Sequence, residues 1–128
     1  MSNNDIAFLS ASETAKEILA GKLTSVEVVQ AYLDRIDRLD PDLFAYITVT
    51  REEALGAAEG IDQKVKSGAS LGPLAGVPIA IKDQFWSIGI LTTNGSNIYK
   101  DFVPQTDSTV VERLKNSGAI LLGKLNLS

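Results

Sequence analysis

Gly76-Val77-Pro78-Ile79-Ala80-Ile81-Lys82-Asp83 is a short, almost wholly apolar run, opened by a glycine and a proline and closed by two charges. A run of this length without polar alternation suits a strand covered on both faces, as in sheets flanked by helices. Gly72, Pro73 and Gly76 are breakers, so a loop over 69–76 leads into it. A second run of the same kind, Ala119-Ile120-Leu121-Leu122, lies downstream. Between the two, Thr109 to Asn116 carries Val110, Val111 and Leu114 and ends at Ser117-Gly118, which predicts a helix with a glycine stop. Strand, loop, helix and strand in this order form a β-α-β unit over about 77–123 with parallel strands.

Upstream of the loop the period changes to that of helices. Three capping boxes are present, Ser10 with Glu13, Thr24 with Glu27 and Thr50 with Glu53. In each, a hydroxyl can accept from a first-turn amide while the glutamate three residues on bonds back. The first helix is predicted from about Ala11 to Ala20, closed by Gly21. The second carries Val26, Val29, Leu33 and Ile36 on one face and is expected to stop before Pro41. Phe44 to Val49 mixes aromatic and β-branched residues and suits a short strand. The third helix, near Arg51 to Ser67, stripes Ala54, Ala58, Ile61 and Val65 on one side and stops at Gly68.

These elements predict an α/β protein: one domain over 1–128, with a helical layer at about 10–68 and the start of a parallel or mixed sheet. Two strands alone do not make a stable parallel sheet, so the fold reads as incomplete, with further sequence expected beyond Ser128. Composition is that of an ordinary globular chain, 45% apolar and 22% charged with a net charge of −4. No basic cluster suggests nucleic acid. No apolar stretch approaches the ~20 residues of a membrane span, and the N-terminus has no basic leader, so a cytoplasmic protein is expected. The absence of Cys and His excludes thiol chemistry, the Ser-His-Asp triad and His-containing zinc sites within these residues. Any base here must be Lys, Tyr, Asp or Glu.

Lys82 sits at the carboxyl end of the first apolar run, where open α/β sheets place their ligands. At the edge of an apolar environment its ammonium would lose solvation, making a neutral amine available to activate a serine without histidine. Equally, a lysine at a strand end can simply reach water, and Asp83 can cap a turn or orient the lysine. Thr92-Thr93-Asn94-Gly95-Ser96 offers hydroxyls around a tight-turn pair, for a polar pocket or for local backbone bonding. Thr106-Asp107-Ser108-Thr109 reads as a helix cap, or as oxygens ahead of a helix whose positive end could attract an anion. Phe85 and Trp86 read as packing or as an apolar wall.

Taken in order, these segments resemble the amidase-signature family. The likeness runs from about Ser25 through Asp40-Pro41, Gly72 to Asp83, Thr92-Thr93 with Gly95-Ser96, and Phe102-Val103-Pro104 with Asp107. It continues through Gly118-Ala119-Ile120 to Gly123-Lys124 and Asn126. The resemblance implies catalysis by a Ser-Ser-Lys triad whose base falls on Lys82, with the proton relayed to it through a serine held by a cis peptide bond. The Gly/Ser-rich segment that supplies both serines and the oxyanion-hole amides in the family has no counterpart here. None of Ser87, Ser96, Ser108, Ser117 or Ser128 sits in a matching motif, so only the lysine carries over, substrate-binding residues stay unassigned, and Leu125 stands where many members have threonine.

The implied function is an amidase hydrolysing a carboxylic amide, with a small-molecule amide as its partner and no metal or organic cofactor. A homo-oligomer is compatible with it. Within the family the alternative is the glutaminase subunit of the aminoacyl-tRNA amidotransferase. From another class, a non-catalytic interaction module would bind a partner through an unfinished sheet edge or apolar helix faces.

Overall fold

The computed structural model describes residues 1–127. Five α-helices and three strands follow one another as α1 (Asn3–Ala7), α2 (Ala11–Leu19), α3 (Ser25–Leu43), β1 (Tyr46–Val49), α4 (Arg51–Ser67), β2 (Pro78–Lys82), α5 (Thr109–Asn116) and β3 (Ile120–Leu125). A single 3₁₀ turn, Asn97–Tyr99, lies in the long β2–α5 connection. The expected α/β class holds, with one strand more in the sheet than the apolar runs alone suggest.

The sheet has the order β1-β3-β2, with β2 parallel and β1 antiparallel to the central β3. Its two faces carry separate cores. Ile120 and Leu122 point into the larger one with Val28, Val29 and Leu33 of α3 and Ala54, Ala58 and Ile61 of α4. Leu121 faces the other way and meets Ile81 of β2, Ile90 and Val111 of α5. Helices on both faces explain why β2 and β3 read as continuous apolar runs.

Two of the three capping boxes form. Ser10 Oγ accepts from the Glu13 amide at 3.1 Å while Glu13 accepts from the Ser10 amide at 2.7 Å. Thr24 and Glu27 do the same. A further box, Ser2 with Asp5, starts the short α1, which the apolar spacing did not announce. The third predicted box does not form: Thr50 donates its hydroxyl to the Leu121 carbonyl at 2.8 Å and its amide to the Leu122 carbonyl at 2.8 Å. Pairing with β3 thus takes the hydroxyl that capping would have used, although α4 still begins at Arg51.

Pro41 lies inside the last turn of α3, which does not stop before it as expected. Proline removes the bond to the carbonyl four residues back, yet only two helical residues remain to be lost. Asp40 then closes the end, its carbonyl accepting from Phe44 N at 2.8 Å and its carboxylate from Ala45 N at 2.7 Å. Phe44 adopts the left-handed conformation that turns the chain into β1.

Gly76 and Gly123 are required by close approach. Gly76 has φ +80°, and a Cβ there would lie 2.8 Å from both Ile18 Cδ1 and Ser25 Oγ, so the entry to β2 sits directly on α2 and α3. A Cβ on Gly123 would collide with the Thr48 carbonyl and lie 2.9 Å from the Tyr46 ring. Gly123→Ala is therefore expected to push β1 off β3 and cost about 3 kcal/mol or more. A urea midpoint within experimental error of the parent would show that the strands absorb a methyl group.

Candidate active site

At the carboxyl end of β2 the chain turns sharply, and successive residues diverge in environment. Lys82 is exposed, whereas Ile81 and Asp83 are buried. Strand alternation accounts for this, because neighbours in a strand face opposite sides of the sheet. The Lys82 amine makes no side-chain hydrogen bond or ion pair among the described residues. The apolar surroundings expected for Lys82 are thus not supplied by the described residues.

The buried lysine at this end of the sheet is Lys124 of β3. Its side chain is 0% exposed, and it donates to the Phe85 carbonyl and to Thr92 Oγ1, each at 2.8 Å. It also stands 3.6 Å from Oδ1 of the equally buried Asp83. Burial holds the Lys124 amine below the ordinary lysine pKa, and the Asp83 carboxylate opposes that shift by favouring the ammonium.

A β-bulge brings this lysine to Asp83. Between β2 and β3 the register runs Ile79 with Leu121, then Ala80 with Gly123, so Leu122 is the extra residue. Without it, the two-residue period would place Lys124 on the face of Leu122 and Ile120, toward the helical core. The extra residue re-aims the strand, and Lys124 pairs with Ile81 on the face that Asp83 also occupies.

Asp83 Oδ2 accepts from the Thr93 amide at 2.9 Å and from the Thr93 hydroxyl. The Asp83 amide donates to the Leu125 carbonyl at 3.0 Å, and its carbonyl accepts from Asn94 N at 3.0 Å. Thr93 Oγ1 in turn accepts from Gly95 N at 3.2 Å. Of the two readings of the Thr92–Ser96 cluster, local bonding describes its hydroxyls: they are turned inward to Asp83, Lys124 and their own backbone. Ser96 Oγ accepts from Ile98 N at 3.2 Å and starts the 3₁₀ turn.

The remaining candidates separate cleanly. Phe85 packs against Ile81, Ile90, Val111 and Leu121, whereas Trp86 is 45% exposed and stands edge-on to Phe102 at 5.2 Å. Asp107 does not cap α5 but accepts from Ile88 N at 2.7 Å and binds Lys115 Nζ at 3.1 Å, tying the loop to the helix. Ser87 and Ser117 hydroxyls donate to the Phe85 and Arg113 carbonyls, at 3.2 and 2.8 Å. Ser108 Oγ is buried without a partner among the described residues, and Ser128 lies outside them. None of the serines is hydrogen-bonded to Lys82 among the described residues. A cavity of about 520 Å³ lies elsewhere, between α4 and the 88–90 segment, lined by Ile61, Lys64, Ile90, Lys115 and Leu121.

With this geometry in place, a family model described as Amidase matches residues 27–128. The chain belongs to the amidase family. The match includes the β2 segment, the Thr92–Ser96 turn and all of β3, the elements that assemble around Asp83. A peptide amidase from Stenotrophomonas maltophilia superposes with a TM-score of 0.89 at 37% identity, over 95% of this chain and 25% of that one. A fatty acid amide hydrolase superposes with a TM-score of 0.93 at 30% identity, over 98% and 22%. In sequence, a glutamyl-tRNA(Gln) amidotransferase subunit of Carboxydothermus hydrogenoformans is 46% identical over 123 residues, 96% of this chain and 25% of that protein. The chain thus spans about a quarter of the length of the relatives it matches. No helix among the described residues is long and apolar enough to cross a membrane.

The signal for Lys124 was present in the sequence as Gly123-Lys124 directly after an apolar run. Its burial could not be read there, because a lysine at a strand end is normally solvated and nothing in the local pattern marks the bulge.

Proposed function

We propose that these residues supply the base, Lys82, of an amidase that cleaves a carboxylic amide C–N bond by a Ser-Ser-Lys mechanism. The observation carrying this reading is the family match across 27–128, with Lys82 exposed at the carboxyl end of β2. In the mechanism, the Lys82 amine accepts a proton from one serine, which takes the proton of the second. The second serine's oxygen adds to the amide carbonyl carbon. Collapse breaks the C–N bond, the proton passes to the departing nitrogen, and an acyl ester remains for water to hydrolyse. Both serines and the oxyanion donors are expected from sequence outside these residues.

A second reading has a specific support, since relatives 46% identical are glutamyl-tRNA(Gln) amidotransferase subunits. In that case the amide is glutamine, the released ammonia passes to a partner protein, and the chain works in a hetero-oligomer. Assay of the protein expressed from its complete reading frame separates the two. Ammonia release confined to glutamine supports the amidotransferase reading, turnover of other carboxylic amides supports a general amidase, and no hydrolysis of any amide removes both.

The 128-residue chain alone is expected to show no amide turnover, because without a nucleophile or an oxyanion hole it lacks the terms that supply most of the rate. Hydrolysis by the purified chain that disappears in Lys82→Ala would contradict this.

A further inference from the structure

Asp83 follows Lys82 directly, and every polar group it has is directed at the same small volume. Its amide is held by β3 through Leu125, its carbonyl by Asn94, and one carboxylate oxygen by Thr93. Among the described residues the other oxygen, Oδ1, accepts no hydrogen bond and stands 3.6 Å from Lys124 Nζ. Lys124 then reaches across to Phe85 and Thr92, on the far side of the turn. The network closes a loop from β3 to residue 83, through 92–94, and back to β3.

We propose that the buried Asp83–Lys124 pair, with Thr92 and Thr93, is the positioning device for Lys82, fixing the face of β2 from which its side chain projects. The inference rests on Lys82 being the base. Two features favour positioning over stability as the purpose of the pair. A buried ion pair is weak evidence for stability, since neutral residues of similar volume commonly replace it without loss. The bonds also converge on the residue whose amide shares a peptide plane with the Lys82 carbonyl, at the end where β2 leaves the sheet. With its amide, carbonyl and carboxylate all engaged, Asp83 cannot rotate about its own backbone, so the Lys82 Cα–Cβ vector is held as well. The bulge at Leu122 belongs to the same device, because it alone turns Lys124 toward Asp83. Catalytic groups are effective only when held within a fraction of an ångström of the productive geometry, which such a neighbour provides.

The test uses Asp83→Asn combined with Lys124→Met, which removes both charges and keeps the volumes, and Thr93→Val, which removes one hydroxyl. In the 128-residue chain, amide hydrogen exchange at Thr93 and Asn94 is expected to accelerate at least tenfold in the double variant, while the melting temperature stays near the parent's. In the protein from the complete reading frame, kcat for amide hydrolysis is expected to fall at least tenfold with KM within twofold, and Thr93→Val to show a smaller change of the same kind. A merely structural pair would leave kcat unchanged once the melting temperature is matched. If Lys82→Ala retains hydrolysis, the reading of Lys82 as base falls. If Lys82→Ala abolishes hydrolysis but the double variant keeps the parental kcat, the positioning role alone falls. Should the complete frame show no hydrolysis, the reading of Lys82 as base falls and the positioning role falls with it, whereas unchanged exchange at Thr93 and Asn94 in the double variant overturns the positioning role alone.

Discussion

Lys124→Ala is expected to destabilise the chain by about 3–5 kcal/mol, because it leaves the Asp83 carboxylate buried without its counter-charge. Both side chains are fully buried, so water cannot replace the lost ammonium without opening the 83–94 turn. The same substitution abandons the Phe85 carbonyl and the Thr92 hydroxyl. A pH series adds a second signature. The folded-state pKa of Lys124 lies below the unfolded value of about 10.4, so the unfolded chain binds more protons in the window between the two. The Lys124 contribution to stability therefore rises with pH through that window and levels off above about 10.4. Tyr46 runs the opposite way: burial raises its pKa, and stability is lost as pH rises through about 10. Since Tyr46 is present in both proteins, the parent-minus-variant difference isolates Lys124 and should grow with pH. Urea denaturation at several pH values measures it, and a loss below about 1 kcal/mol with no pH slope would show that Lys124 is not held as described.

Lys82→Ala is expected to give the converse pattern, with activity lost and stability kept. Removing a general base typically lowers the rate by about 10²–10⁴-fold. An exposed side chain without polar partners should change stability by no more than about 0.5 kcal/mol. The decisive comparison is kcat/KM for amide hydrolysis by the protein from its complete reading frame, set beside its melting curve. Hydrolysis within tenfold of the parent would remove Lys82 from the mechanism. A large drop in melting temperature would instead assign Lys82 a structural role that its exposure does not suggest.

Neighbouring lysines on paired strands thus divide the work by geometry. Lys82 lies opposite Leu125 in the register, and Lys124 lies opposite Ile81. One residue of offset along a strand is enough to exchange the face that each side chain occupies. If the positioning role holds, Lys124 affects hydrolysis only through Asp83.

Much of the architecture is local and therefore legible in the residues themselves. The stripe on α4, the glycine stops at Gly68 and Gly118, and the boxes Ser10 with Glu13 and Thr24 with Glu27 depend on contacts within one turn or one helix face. Apolar runs without alternation likewise announced that β2 and β3 are covered on both sides, and the ordered set of motifs from Ser25 to Asn126 pointed to the amidase family. What failed was local chemistry redirected by distant partners. Thr50 looked like a cap and became a donor to Leu121, 71 residues away. Pro41 looked like a stop and lies within α3, whose end Asp40 closes.

By itself the sequence determined the α/β class, the approximate placement of α2 to α5, the absence of histidine and cysteine from these residues, and the amidase family. Only the tertiary structure decided that Lys82 stands exposed while Lys124 is buried against Asp83. That outcome depends on pairing between strands far apart in the chain and on one extra residue at Leu122. A two-residue period read along β3 alone assigns Lys124 to the wrong face, because register is a property of the pair of strands and not of either one.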